Sequence, residues 1–491
     1  MSRRSTSPVV VVSLMLLVLT AAYSARPQAQ DAKAVVAEAV RAMGMSSLSS
    51  ISYQGTAAVG NFGQSRGITF GLASSAIRDY VRTIDFTTPA MHATGQQYPM
   101  VPRGAKASPN ALPIPYDEAV SPATPTWASQ LEIWTTPWGF LKGALAAADT
   151  KLTTQKLDGV SYRVISWSPM LKAPSGRPYR LNGFLNQQGV LDKVETWVDH
   201  PVFGDMHVEA FFTQYADAEG GVKVPVKISR RLGGMETFVE SLMRAQINPA
   251  DVADLLQAPP PPVPPTPRPL SSEKLTEGVY RLTGDYVSLL VEFKDYVVVL
   301  EAGESEARGL AVLAEAKRLF PTKKVKYVVN THPHFDHVAG LVAFIPEGIT
   351  VITDDNNKFF VEAAFSEPRT LLDDGLARKK KTPKVEGVID DFVLKDATRE
   401  LRLHHVDDLE HSEGMLIAYM PAERILFTAD FDPPLKGQAV DASIPILLKT
   451  LDRLKIDFDR HVTVHPLTPD HLMTRDELLA LGRAAEKPAQ E

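Results

Sequence analysis

The chain of 491 residues contains no cysteine, which excludes a disulfide framework, a thiolate metal ligand and a thiol nucleophile. Any metal it holds must be bound through His, Asp and Glu. Positive charge is not in excess either: 52 Lys and Arg stand against 58 Asp and Glu, for a net charge of -6. Without a basic field to displace counterions from phosphate backbones, nucleic acid is excluded as an expected partner. The apolar run Val9–Leu19 is too short for a confident membrane span. The composition is otherwise that of a globular protein, 44% hydrophobic and 22% charged, so the chain can bury a real core.

Four segments follow from composition. Arg3 and Arg4, the apolar run and the small residues of Ala22-Tyr23-Ser24 read as a secretory signal over residues 1–24. The mature protein is therefore expected to be periplasmic or secreted, with no stable membrane insertion after cleavage. Between Pro259 and Pro269, eight of eleven residues are proline, which drives the backbone to an extended, semi-rigid form; residues 257–272 read as a linker. Upstream, residues 31–256 read as a β-rich domain. It opens on a helix from Asp31 to Gly44 and continues in β-branched and aromatic runs at 162–167, 180–185, 190–198, 206–215 and 222–230, separated by turns such as Gly220-Gly221. An antiparallel meander is expected. All five tryptophans (127, 134, 138, 167 and 197) fall in this half, where they either pack its core or line an apolar-ligand surface. Downstream, residues 273–485 alternate strands and helices: strands at 279–282, 288–293, 296–300 and 325–329, and a helix from Ser305 to Phe320. The fold class expected for the whole is α+β.

Nine of the twelve histidines lie between His332 and His471, and three fall within six residues, in Thr331-His332-Pro333-His334-Phe335-Asp336-His337. This segment directly follows the expected strand 325–329. His332 and His334, two apart in an extended segment, can point at one ion while Asp336 and His337 turn toward a second. Burying four such groups without a metal would leave many polar atoms unpaired.

The pattern His332-x-His334-x-Asp336-His337 resembles the signature of the metallo-β-lactamase superfamily of dinuclear hydrolases. The resemblance runs from about Lys274 to Arg483 and can be followed in order: His411-Ser412-Glu413-Gly414, then a strand ending in Asp430, then a strand ending in His465. It implies an αββα sandwich, with His332, His334 and His411 on one metal, Asp336, His337 and His465 on a second, and Asp430 between them. His404 and His405 compete with His411 but lack a following glycine. His461 competes with His465 but opens its strand, and His471 is the fallback; Asp407, Asp408 and Glu410 read as supporting or solvated carboxylates. The family's Asp-x-Gly near its start stands here as Glu301-Ala302-Gly303, which puts a supporting contact to the metal loop in question.

The resemblance implies two Zn2+ ions and a hydrolase of a small-molecule substrate, which the signal reading makes an exported one. A metal-bridging hydroxide would cleave an ester-like or amide-like bond (lactone, lactam, thioester or ester), with Asp336 as the catalytic carboxylate. A serine triad is not indicated. Two alternatives remain: an apolar-ligand carrier with an accessory metal domain, and an iron-dependent dioxygenase on the same scaffold. Oligomeric state has no signature in the sequence.

Overall fold

The computed structural model describes residues 31–67, 70–99, 113–124, 126–260, 266–433 and 440–485. The expected signal, 1–24, and residues 261–265 of the proline run lie outside them. The described residues form sheets of eleven, seven and five strands.

The helix Ala32–Ala42 begins where the Asp31 carboxylate accepts the Lys33 backbone N–H and ends near Gly44, which has positive φ. The eleven-stranded sheet follows, antiparallel throughout. Its first strand, Ser50–Gly60, lies centrally between Ser74–Asp85 and the last strand, Met235–Ile247. The chain therefore fills one half of the sheet outward to Ile114–Val120. It crosses over through the helices Trp127–Trp134 and Pro137–Ala146, and walks back from Lys151–Leu157. Leu191–His200 and Gly204–Asp217 alternate buried and more exposed residues, as one covered face requires. Trp127, Trp138 and Trp167 are buried in this core, and Trp134 and Trp197 pack partly buried against it. Most of the tryptophan is thus structural.

The seven-stranded sheet begins at Ser271, where Ser271 and Ser272 pair with Thr283 and Leu282. Ser271 and Ser272, the end of the segment 257–272 read from the sequence as a linker, are thus already part of this ladder. The next strands are Val279–Thr283, Ser288–Glu292 and Tyr296–Leu300, the last two forming a hairpin; Lys324–Val329, Thr350–Asp354 and Lys384–Val388 then add in parallel. The five-stranded sheet is antiparallel up to Ile425–Thr428, which pairs in parallel with Arg460–Thr463. Leu289, Val291, Leu300, Phe427 and Val462 fill the space between the two sheets. The helix Glu306–Leu319 covers one outer face, and Ser443–Arg453 and Arg475–Ala485 cover the other. The result is the αββα layering expected for this half, within a molecule of α+β class.

The two halves are stitched together. The Asp205 carboxylate accepts from the Thr370 N–H and hydroxyl and from the Leu371 N–H. Arg369 donates to the carbonyls of Pro201 and Val202 while pairing with Asp374. Phe62, His200 and Phe203 of the first half enclose Phe335 of the second, with ring centroids 5.1–5.6 Å from it.

Candidate metal centre

The expected ligands lie on the segments that follow strand ends. His332 and His334 follow Lys324–Val329, with Asp336 and His337 in the single helical turn Phe335–Val338. Asp430 follows Ile425–Thr428 with positive φ, and His465 follows Arg460–Thr463. His411 lies on a loop whose Gly414 is needed. A β-carbon there would lie 2.4 Å from Asn357 Oδ1, and the Asn357 amide donates to the Gly414 carbonyl at 2.6 Å.

Two clusters result. In one, His332, His334, His411 and Asp430 bring ligand atoms within 4.8 Å of one another; in the other, Asp336, His337 and His465 do the same. Asp430 spans them. Its Oδ2 lies 2.7 Å from His411 Nε2 and 3.2 Å from His332 Nε2, and its Oδ1 lies 2.9 Å from His465 Nε2 and 3.2 Å from His337 Nε2. Asp336 Oδ2 stands 3.4 Å from His337 Nε2 and 3.8 Å from His465 Nε2.

The electrostatics suit a cation. Burial, and then the charge of His337, pushes His332 far below the usual imidazole range; burial and His411 push His334 down to about 4. Both are held neutral, as ligands must be. Burial works against ionisation of Asp430 and Asp336, but the surrounding histidines outweigh it and hold both below the usual carboxylate range. His337 is raised by Asp430 and Glu301 in spite of its burial. His334 Nδ1, His337 Nε2 and Asp430 Oδ1 are buried and make no hydrogen bond of good geometry. Orphaned lone pairs converging on one volume are what a divalent cation resolves, so the donor set fits metal.

The competing histidines are accounted for elsewhere. His404 pairs with Asp391, and His405 Nδ1 lies 2.6 Å from Asp354. His461 is buried against Thr428 Oγ1 at 2.7 Å, and His471 contacts the Pro469 carbonyl and Glu477. Asp407 pairs with Arg453, and Glu410 lies 3.7 Å from Arg66. Glu301 makes the contact that was in question: its Oε1 accepts the Thr331 N–H at 2.7 Å and its Oε2 lies 3.4 Å from His337 Nδ1. A longer carboxylate, on backbone at positive φ, does this work. A further cluster, Glu195, His207 and Glu209, already holds a cation, since Lys193 Nζ lies 2.7 and 2.8 Å from the two glutamates.

Sequence reasoning missed several neighbours of the site. Tyr286 donates to Asp336 Oδ2 at 2.9 Å, and Gln64 donates to Asp336 Oδ1 at 2.9 Å. Asp432 joins Asp430 and His465, and burial, then the Asp430 charge against the opposing His465, raises it to about 6. Its spacing of two from Asp430 was the one available signal. Gly63-Gln64-Ser65-Arg66-Gly67 fits Gly-x-Ser-x-Gly, yet it joins two strands and Ser65 Oγ donates to the Gly67 carbonyl at 3.0 Å. It is not a strand-to-helix elbow; its backbone serves the metal residues instead.

Residues 283–483 match the family model of the metallo-beta-lactamase superfamily. Solved structures with similar folds include a metallo-beta-lactamase from Pontibacter korlensis, 18% identical, with 45% of this chain and 100% of that one covered at a TM-score of 0.36. The mono-zinc form of FIM-1 from Pseudomonas aeruginosa is 15% identical, with 44% of this chain and 95% of that one covered and a TM-score of 0.34. A metallo-beta-lactamase from Hirschia baltica is 19% identical, with 44% and 98% covered and a TM-score of 0.34. No curated protein matches the chain.

Proposed function

From the match of residues 283–483 to the family model of the metallo-beta-lactamase superfamily, which supports a scaffold of metal-dependent hydrolase type, we propose that this protein is an exported zinc hydrolase of small molecules. It acts on an ester-like or amide-like bond, with a cyclic ester or lactam ahead of a phosphodiester because the acidic chain offers no strong basic patch for a polyanion. The observation that carries the reading is Asp430, whose two oxygens each face a separate pair of histidines. When bound, two divalent cations lower the pKa of a water and polarise a scissile carbonyl. His332, His334 and His411 would hold one ion, and Asp336, His337 and His465 the other. Asp336, held by the Tyr286 hydroxyl on Oδ2 and the Gln64 amide on Oδ1, is the carboxylate placed to take up the proton of the attacking water and return it to the leaving group.

The test is metal analysis of the purified full chain, followed by a hydrolysis panel of lactams, lactones, thioesters and phosphodiesters. Two zinc ions with turnover of a lactone or lactam is the expected result; iron would favour the dioxygenase, and two zincs with no hydrolysis would end the hydrolase claim. The carrier reading keeps one observation, a cleft of about 740 Å3 between the halves lined by Trp197, Phe203 and Phe360 among others. Function lost in Trp197→Ala but kept in His334→Ala would favour it.

A further inference from the structure

We propose that the N-terminal half completes the metal centre: the loop 61–67 holds Asp336 and His334 in ligating orientation, and Gln64 is the positioning residue for the second metal. The inference rests on the metal reading above and adds to it a device outside residues 283–483.

The loop joins Ser50–Gly60 to Ser74–Asp85 and is stitched to the histidine loop at successive positions. The Gly63 carbonyl accepts the Phe335 N–H at 3.0 Å, the Ser65 carbonyl accepts from His334 Nε2 at 3.1 Å, and the Arg66 carbonyl accepts the Glu413 N–H at 2.7 Å. It thus reaches both the segment carrying His332 to His337 and the loop carrying His411. The approach is close enough to require glycine at 63, where φ is +91° and a β-carbon would fall 2.3 Å from the Phe335 ring.

Each bond has a consequence for ligation. A carbonyl can only accept, so the Ser65 contact fixes the proton of His334 on Nε2 and leaves Nδ1 as the lone pair; that nitrogen is buried without a hydrogen bond. Gln64 Nε2 donates to Asp336 Oδ1, so the other oxygen, Oδ2, is the one turned toward His337 and His465. The amide ties down the oxygen that does not face the metal, which stops the carboxylate from rotating out of the second cluster.

The experiment is zinc titration of the apo full-length chain against a competing chelator, for wild type, Gln64→Ala and Gln64→Glu, with the melting temperature of each apo protein alongside. Losing the donor should weaken the second zinc about 10- to 100-fold and change the first by less than about threefold, with the apo melting temperature unmoved. Glu, which keeps the shape but not the donor, should be at least as poor as Ala. Gly63→Val, which displaces the whole loop, should weaken both ions. If both Gln64 variants hold two zincs as wild type does, or if both constants and the apo melting temperature fall together, the positioning role is wrong while the metal site stands. A wild-type chain that takes up no zinc overturns this inference and the hydrolase reading together.

Discussion

Asp430 is the residue on which the centre turns, because one carboxylate serves two sets of imidazoles through different oxygens. Asp430→Ala should leave His332, His334 and His411 to keep one ion while weakening the other. Hydrolysis should then fall by orders of magnitude with an unchanged circular dichroism spectrum, since each metal supplies several kcal/mol of charge stabilisation in the transition state. His411→Ala should cost at least as much, whereas His404→Ala, whose ring pairs with Asp391 outside the centre, should leave turnover within about twofold of wild type; equal losses would void the choice between them. The convergence of these side chains was legible because histidine is rare and its clustering after a strand has few other physical causes. Gln64 was not, since it stands 272 residues from the aspartate it holds and a lone glutamine in a turn carries no chemical signal. Tyr286 was hidden for the same reason, and Glu301 was visible only as a departure from a pattern.

Among elements, the strands with the plainest sequence signal were those with one covered face. Leu191–His200 and Gly204–Asp217 could be read from their alternation. Ser50–Gly60 carries Gln-Gly-Thr-Ala-Ala, and Ala90–Pro99 carries Ala-Thr-Gly-Gln-Gln, segments poor in the bulky β-branched residues that mark a strand. Their pairing is supplied by the strands beside them: Ser50–Gly60 lies between Ser74–Asp85 and the distant Met235–Ile247, and Ala90–Pro99 between Ser74–Asp85 and Ile114–Val120. Charge also binds these elements: Arg82, on Ser74–Asp85, is buried against Glu240, on Met235–Ile247, at 2.9 Å, while Tyr53 and Tyr80 donate to the same carboxylate oxygen at 3.1 and 2.6 Å. Arg82→Met would leave Glu240 as an uncompensated buried charge, so urea denaturation should show a loss of about 3–5 kcal/mol. A loss below about 1 kcal/mol would mean that the two tyrosines suffice to solvate the carboxylate.

For the whole molecule, two questions are open to measurement, the proposed export and the joining of the two halves. The signal at residues 1–24 is a proposal from composition, and N-terminal sequencing of the mature protein should start near Ala25; a full-length chain recovered from the cytoplasm would refute it. The joint between the halves contains a titrating group that is not a ligand. His200 Nδ1 accepts the backbone N–H groups of Val202 and Phe203, both at 3.2 Å, and its ring packs on Phe62 and Phe335. Burial, and then the charge of Arg369, lowers it to about 4. Its folded pKa therefore lies below the unfolded value near 6.5, so the unfolded chain binds the extra proton first. Stability from this group is complete above about pH 6.5 and drains away as pH falls toward 4, by roughly 3 kcal/mol in all; below 4 the loss levels off because both states are protonated. His200→Asn, which keeps an acceptor for the two N–H groups but does not titrate, should flatten that part of the acid limb in denaturant unfolding of the zinc-free chain. Parallel curves for variant and wild type between pH 6.5 and 4 would show that the joint tolerates a charged imidazole.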